Sequence, residues 1–274
     1  MKKIFTIFMS FVTLVSFSVT ASAYTRESTE ILDGEMIGKA YSGFYYTPKL
    51  ERVGAKAFID CWYLSQFCRD SFPDLPEFHL NYIGDYAFAG CGNLTVMDVP
   101  TATYFGDYSL FGCTNIASLV LSKDITYIGK YAIGYKGKVS IDRSTLEVKV
   151  TDISQDQTVI LRVHAGTVSE DYAKENLFDY QYHGDPAGTR YVVGDFNADG
   201  TVSINDCQEM LKSYVDQLSG KTQPADSYTV RNDLNNDNST GVEDAQMLLR
   251  YYTEAKAAGK TYTWYDLRKD MGMV

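Results

Sequence analysis

Apolar residues return along the first half of this chain with a period near 23. The reference point is an apolar-glycine pair, found at Val53-Gly54, Ile83-Gly84, Phe105-Gly106 and Ile128-Gly129, with glycines 30, 22 and 23 residues apart. Three and four residues after each glycine stand Ala57-Phe58, Ala87-Phe88, Ser109-Leu110 and Ala132-Ile133. Seven residues after come Cys61, Cys91 and Cys113, and ten after come Leu64, Leu94, Ile116 and Val139. The stretch up to each cysteine has helix-like spacing, and the segment after it alternates like a strand. Each unit therefore predicts a helical turn plus a strand, and stacked units would bury a continuous core.

Two segments depart from this period. Gly54 to Gly84 is about seven residues too long and contains Pro73 and Pro76, which predicts a surface loop over Arg69 to Glu77. From Thr167 to Tyr182 the run Ser169 to Asn176 resembles the short terminal helix that often closes bacterial repeats of this kind, and would cap the open end of the stack. The register I-G-x-x-A-F-x-x-C-x-x-L, with Leu94-x-x-Met97-x-Val99 and Ile116-x-x-Leu119-x-Leu121, resembles the bacterial surface-protein class of leucine-rich repeats. The resemblance covers roughly Ile37 to Tyr182, in three clear units and a partial fourth. It implies a column of small buried cysteine side chains, with pairing between adjacent rungs as the alternative.

A second repeat has an offset of 38. Its first copy runs Asp195-Phe196-Asn197-Ala198-Asp199-Gly200-Thr201-Val202-Ser203-Ile204-Asn205-Asp206. Oxygen-bearing side chains fall at positions 1, 3, 5, 9 and 12 with glycine at 6, the spacing of an EF-hand calcium loop. A hard cation takes about 6 to 8 oxygens, and a tightly wrapped loop supplies them from alternate residues. Candidate ligands are Asp195, Asn197, Asp199, the carbonyl of Thr201, Ser203 and Asp206. The second copy offers Asp233, Asn235, Asp237, Ser239 and Asp244. There Asn238 replaces the bending glycine, and Gly241 at position 9 brings no side chain, so the second site is expected to be the weaker. Two calcium ions are the expected cofactor.

After the loops come Cys207, Met210, Leu211 and Tyr214, then Ala245, Leu248, Leu249 and Tyr252. This i, i+3, i+4, i+7 spacing predicts an amphipathic helix in each copy. Paired loop-helix units of this kind over Gly194 to Tyr252 resemble a dockerin, the module that joins a subunit to a cohesin on a cellulosome-type scaffold. The resemblance implies partner contacts at loop positions 10 and 11 and on the outward helix face: Ile204, Asn205 and Lys212, then Val242, Glu243 and Arg250. Asn205 and Glu243 differ in charge, so one docking orientation is expected. Tyr191 before the loops, and Tyr262, Trp264 and Tyr265 after them, predict an aromatic clasp between the two ends, unless Trp264 faces the cohesin.

Composition sets the context. Lys2 and Lys3, an apolar stretch from Ile4 to Val19 and Ala21-Ser22-Ala23 have the order of a secretory signal. The net charge of −10 includes those two lysines, so the exported chain sits near −12. That charge argues against nucleic acid and anionic membranes as partners. The expected organisation is a signal peptide (1–23), a leucine-rich-repeat domain (24–183), a turn-rich linker (184–190) and a dockerin (191–270). The fold class is α+β, a short solenoid followed by an all-α unit.

With only His79, His164 and His183, cysteines at the buried rung position, and no G-x-S-x-G, H-E-x-x-H or phosphate loop, the chain is not expected to be an enzyme. A polysaccharide- or peptide-hydrolysing subunit with its active site in the repeats is the alternative. Otherwise the repeats would bind protein or carbohydrate. The protein would be secreted and extracellular, held to a cell-surface or cellulosome-type scaffold through cohesin.

Overall fold

The computed structural model describes residues 23–69, 79–186, 189–221 and 232–274. The expected export signal and the Pro73-Pro76 loop lie outside the described residues. Stacked rungs run from Tyr24 onward, each contributing short strands to two parallel sheets. One sheet has the order β1 (Tyr24–Arg26), β3 (Gly43–Tyr46), β5 (Gln66–Arg69) and β7 (Val96–Met97). The other has the order β10 (Tyr127–Ile128), β8 (Tyr104–Phe105), β6 (Tyr82–Ile83), β4 (Arg52–Val53) and β2 (Glu30–Ile31). Each apolar-glycine pair therefore includes a strand residue. The solenoid also starts one rung earlier than the spacing indicates. Ile31 pairs with Val53 in register, but Leu32 stands where the later rungs have glycine.

Between the two strands of a rung the helix-like spacing does not make a helix. The chain takes successive tight turns, such as Ala57 N–H to Gly54 O, Ile59 to Lys56 and Cys61 to Phe58. The intervening N–H groups bond to the next rung: Lys56 to Asp85 O, Phe58 to Ala87 O and Asp60 to Ala89 O. A helix would spend those donors within the rung, whereas this turn ladder satisfies them across the stack.

Side chains of the two periodic columns fill the interior. Phe58 and Phe88 stack at 4.9 Å, and Phe44 and Phe67 at 5.4 Å. The thiols of Cys61, Cys91 and Cys113 donate to the carbonyls of Met36, Phe58 and Phe88. All three are free and buried, so the small-side-chain column holds and the inter-rung disulfide does not. Burial pushes the Cys61 thiol up to about 11 and the Cys113 thiol up to about 12. Thiolates are the reactive form. In the native protein at neutral pH we expect iodoacetamide to label the half-buried Cys68 first and to leave Cys61, Cys91 and Cys113 unmodified, as read by peptide mass spectrometry.

The fifth rung differs most from the sequence expectation. Val139 lies ten residues after Gly129, yet it does not form the rung's strand. The chain leaves the stack at Gly134 and forms an antiparallel hairpin, β11 (Tyr135–Ile141) and β12 (Val148–Gln155), then rejoins at Asp156, whose N–H bonds to Gly134 O. The hairpin tip folds back along the turns, where Lys56 Nζ donates to Leu146 O at 2.8 Å. The strand of the rung is β13 (Ile160–Val163), parallel to β9 (Ser118–Val120) on one side and β14 (Tyr180–Tyr182) on the other. As expected, a terminal helix closes the stack: α1 (Val168–Glu175), with Tyr172 hydroxyl donating to Ile133 O.

The segment after Tyr191 contains α2 (Ile204–Leu218), α3 (Val242–Tyr251), a wider helical turn over Tyr252–Ala257 and α4 (Trp264–Asp270). α2 packs against α3. Cys207, Met210, Ala245, Leu248, Tyr251, Trp264 and Leu267 form a second core. Among the described residues no helix is long and apolar enough to cross a membrane.

Candidate functional site

The two acidic loops have the same backbone and the same internal bonding. At position 1, the Asp195 carboxylate accepts the N–H groups of Asp199 and Gly200, and Asp233 accepts those of Asp237 and Asn238. At position 12, Asp206 reaches back to Asn197 N–H and Ser203 N–H, and Asp244 to Leu234, Asn235 and Gly241 N–H. Positions 4 and 6 are left-handed in both copies: Ala198 and Gly200 at φ 60° and 87°, Asn236 and Asn238 at 60° and 67°. Asn238 thus takes the conformation that glycine takes in the first loop, one that asparagine tolerates better than most residues.

At position 5, Asp199 accepts from Thr201 N–H and hydroxyl, and Asp237 from Ser239 in the same way. The position 7 hydroxyls are therefore engaged, which leaves their carbonyls for a cation. Ser203 also caps a helix. Its hydroxyl accepts Asn205 N–H and bonds to Asp206, capping α2.

Every side-chain donor in both loops is a hard oxygen, the set that suits calcium. Among the described residues no three His, Cys, Asp or Glu side chains converge as a metal-ligating group; the carboxylates are turned instead to loop N–H groups. Burial raises the Asp195 carboxyl above its ordinary value, and the charges of Asp206 and Asp199 push the same way. Burial likewise raises Asp244, with Asp233 adding to it. A cation held among these groups would offset both costs.

The helices hold fewer stripe residues inside than the spacing implies. Cys207, Met210, Ala245 and Leu248 are buried, with Met247 and Tyr251, whereas Leu211 and Leu249 are 41% and 44% exposed. Each short helix is covered by its partner over a narrow seam, and the i+4 position falls outside it. Ile204, Asn205, Lys212, Glu243 and Arg250 are exposed and Val242 is half-buried, so the expected contact residues and the two leucines are open to solvent. Arg250 differs from Lys212 in having an ion pair with Asp270 at 3.6 Å.

The aromatic clasp is built otherwise than expected. Tyr191 stacks on Tyr180 at 5.2 Å and packs on Tyr182, both in the last solenoid strand. Trp264 stacks on Tyr251 at 3.8 Å and is 3% exposed, which also removes it from any cohesin-facing surface. Tyr265 packs edge-on against Tyr131 and Tyr135 of the solenoid. Tyr191 and Tyr265 thus grip the repeats, while Trp264 closes against Gly194 and Val193 at the start of the segment, so the two ends meet through Trp264.

The seam goes further. Asn236 of the second loop and Arg268 of α4 both donate to Glu175 O at the end of α1. Tyr265 N–H donates to Gln155, and Gln157 to the Tyr251 hydroxyl. Nor does the turn-rich stretch 184–190 act as a free spacer: Tyr180 and Tyr191 bridge antiparallel, and Arg190 pairs with Asp179 at 2.7 Å. A sequence signal for α4 existed in Thr263-x-x-Asp266, a capping box that closes in the structure. None existed for the seam.

Stacked parallel strands at a period near 23, closed by a helix, define a leucine-rich-repeat solenoid. Residues 40–157 match the family model described as the BspA type leucine rich repeat region, in six copies. Among solved structures, the chain is similar to a leucine rich repeat protein of T. pallidum, at 20% identity and TM-score 0.36, covering 41% of this chain and 53% of that one. It is also similar to a leucine rich cell surface protein of Faecalibacterium prausnitzii, at 14% identity and TM-score 0.36, covering 41% of this chain and 32% of that one. The chain thus spans about half the length of the first of these and a third of the second. No curated protein matches it.

Proposed function

We propose that this chain is an exported, non-catalytic binding subunit. The solenoid holds a protein partner, and the C-terminal loop-helix pair, loaded with two calcium ions, docks into a cohesin on a scaffold. The observation that carries the docking half is the repetition of one all-oxygen loop, its position 1 carboxylate holding the same two N–H groups in each copy, at Asp195–Asp206 and Asp233–Asp244. Asp195, Asn197, Asp199, the Thr201 carbonyl and Asp206 would hold one ion. Asp233, Asn235, Asp237, the Ser239 carbonyl and Asp244 would hold the other. The ions supply the positive charge that lets these carboxylates stay close, which fixes how α2 and α3 are presented.

Ile204 with the half-buried Val242, and the exposed pairs Leu211 with Leu249 and Lys212 with Arg250, supply an apolar centre with charged edges, as protein interfaces do. The cohesin should prefer the first copy, because Arg250 is already paired with Asp270. Lys212→Glu is expected to lower cohesin affinity about tenfold and Arg250→Glu less than threefold, by calorimetry. Equal losses would contradict a single orientation.

A solenoid offers an extended surface suited to a protein. The described residues of the repeats do not bring together the groups a hydrolase uses. Their rung cysteines are protonated and inward-facing, and His164 and His183 stack on each other at 4.7 Å. Two clefts among the described residues, of about 490 and 480 Å³, each present a single acidic side chain, Glu175 and Asp179. A glycosidase requires two. Capture by an immobilised cohesin, with and without chelator, tests the reading: retention only in calcium supports it, and no retention in either condition contradicts it.

A further inference from the structure

Three consecutive rungs carry the same outward pentapeptide: Tyr82-Ile83-Gly84-Asp85-Tyr86, Tyr104-Phe105-Gly106-Asp107-Tyr108 and Tyr127-Ile128-Gly129-Lys130-Tyr131. The apolar residue and glycine belong to the fold, and the second tyrosines, Tyr86, Tyr108 and Tyr131, pack partly against the core, whereas the first ones, Tyr82, Tyr104 and Tyr127, stand outside that packing. The rung before them has Arg52-Val53-Gly54-Ala55-Lys56, pairs in the same register, and keeps the same left-handed corner at Lys56 as at Tyr86, Tyr108 and Tyr131. A tyrosine at such a corner costs roughly 1 to 2 kcal/mol. Tyr82, Tyr104 and Tyr127, outside the core packing, point to what they present rather than to what they stabilise.

They form two columns. Tyr82, Tyr104 and Tyr127 stack at 4.7 and 4.9 Å; Tyr86 and Tyr108 stack at 4.8 Å, with Tyr131 tilted below at 5.3 Å. Asp85 and Asp107 run between them, each accepting on one oxygen the N–H of the equivalent residue in the next rung, Asp107 and Lys130. Because the rings cover one another's faces, a sugar cannot lie flat along a column. Ring edges, hydroxyls and carboxylates meet the solvent instead.

The ends of the columns show which group fits a free ring face. The Arg52 guanidinium lies over Tyr82 at 3.9 Å, and Lys130 Nζ over Tyr131 at 4.9 Å. At the other end of the first column, Tyr127 is on the edge strand β10, 43% exposed, with its hydroxyl bonded to Asp107 at 3.2 Å. Among the described residues no cation of the chain covers it. We propose that this end, Tyr127 backed by Asp107 and Asp85, takes arginine side chains from a basic segment of a partner protein, which deepens the reading of the solenoid as a protein-binding surface. The chain's charge of −10 favours such a partner. Guanidinium suits the site better than ammonium because its planar fork stacks on the ring and pairs with a carboxylate at once.

The full chain in excess calcium, which keeps the acidic loops out of the measurement, is titrated calorimetrically with three probes. These are an alternating arginine-glycine peptide, its lysine-glycine counterpart and a neutral cello-oligosaccharide. The arginine peptide should bind at least threefold tighter than the lysine peptide. Tyr127→Leu, which keeps apolar bulk and removes the ring face, should lower arginine-peptide affinity about two- to fivefold and abolish the preference. Asp85→Asn with Asp107→Asn, which keeps an acceptor for the next rung, should lower both peptides about fivefold with the thermal midpoint unchanged. Equal affinity for the two peptides, no peptide binding, or indifference to Tyr127→Leu would overturn the inference and leave the solenoid free to bind another protein surface. Oligosaccharide binding that depends on Tyr127, without peptide binding, would overturn the protein-binding reading as well.

Discussion

Replacing Asp195 and Asp233 together by alanine is expected to abolish calcium-dependent docking, lowering cohesin affinity at least a hundredfold. Each carboxylate would be the first ligand of its loop, and it holds two loop N–H groups. Its loss removes both the charge that attracts the ion and the bonds that shape the loop. An ion present at about 100 to 1,000 times its dissociation constant stabilises its site by roughly 2.7 to 4.1 kcal/mol. Two such sites amount to a large share of the ~5 to 15 kcal/mol that holds a typical domain folded. The double variant should therefore lose the α2–α3 pair from its far-ultraviolet circular dichroism in calcium, while the solenoid signal stays. Of the single variants, Asp195→Ala should be the more damaging, because the second loop lacks a side chain at Gly241 and keeps the Asn236 contact to Glu175 as an independent anchor.

Gly106→Ala is expected to be the most damaging single-methyl change in the solenoid, costing about 3 kcal/mol or more. A methyl there would sit 2.3 Å from Asp85 Oδ1, 2.6 Å from Asp85 N and 2.8 Å from Gly84 C of the preceding rung. Two of those three atoms are backbone, so they cannot swing away. The equivalent glycines at 54, 84 and 129 meet the same obstruction at 2.4 to 2.7 Å. This is a demand of close approach between rungs rather than of left-handed backbone, since these glycines are not at positive φ. Gly166→Ala provides the contrast: it stands at φ 71° with open space around it, and should cost only about 1 to 2 kcal/mol. Thermal melts of the two variants check the difference. A Gly106→Ala midpoint no lower than that of Gly166→Ala would mean that the rungs are not packed at the spacing described.

The rungs were legible where each position has a single physical reason to recur. Glycine is forced by the neighbouring rung, phenylalanine by the core, and cysteine by a space that fits a small side chain donating to a carbonyl. Where a residue merely satisfied the spacing, the reading failed. Val139 falls at the right distance from Gly129, but the chain has already left the stack at Gly134. The first rung was hidden for the opposite reason: Leu32 occupies the glycine position, and the pairing of Ile31 with Val53 carries the register instead.

In the acidic segment, loop positions fixed by oxygen chemistry were legible down to the left-handed Asn238. The aromatic ends were not, because a buried ring reports that it is covered and not by what. Tyr191, Trp264 and Tyr265 all found cover, each against a different neighbour. The seam through Glu175, Gln155 and Arg268 depends on backbone carbonyls and a single glutamine, groups that leave no pattern along the chain.

On the proposed reading the two acidic loops wrap calcium and thereby set α2 and α3 for docking. Calorimetric titration of the chelator-stripped full chain with calcium tests it most directly, followed in parallel by far-ultraviolet circular dichroism. We predict two sites, the one at Asp195–Asp206 tighter than the one at Asp233–Asp244, with helical signal gained as they fill. Absence of binding heat together with an unchanged spectrum at millimolar calcium would contradict it.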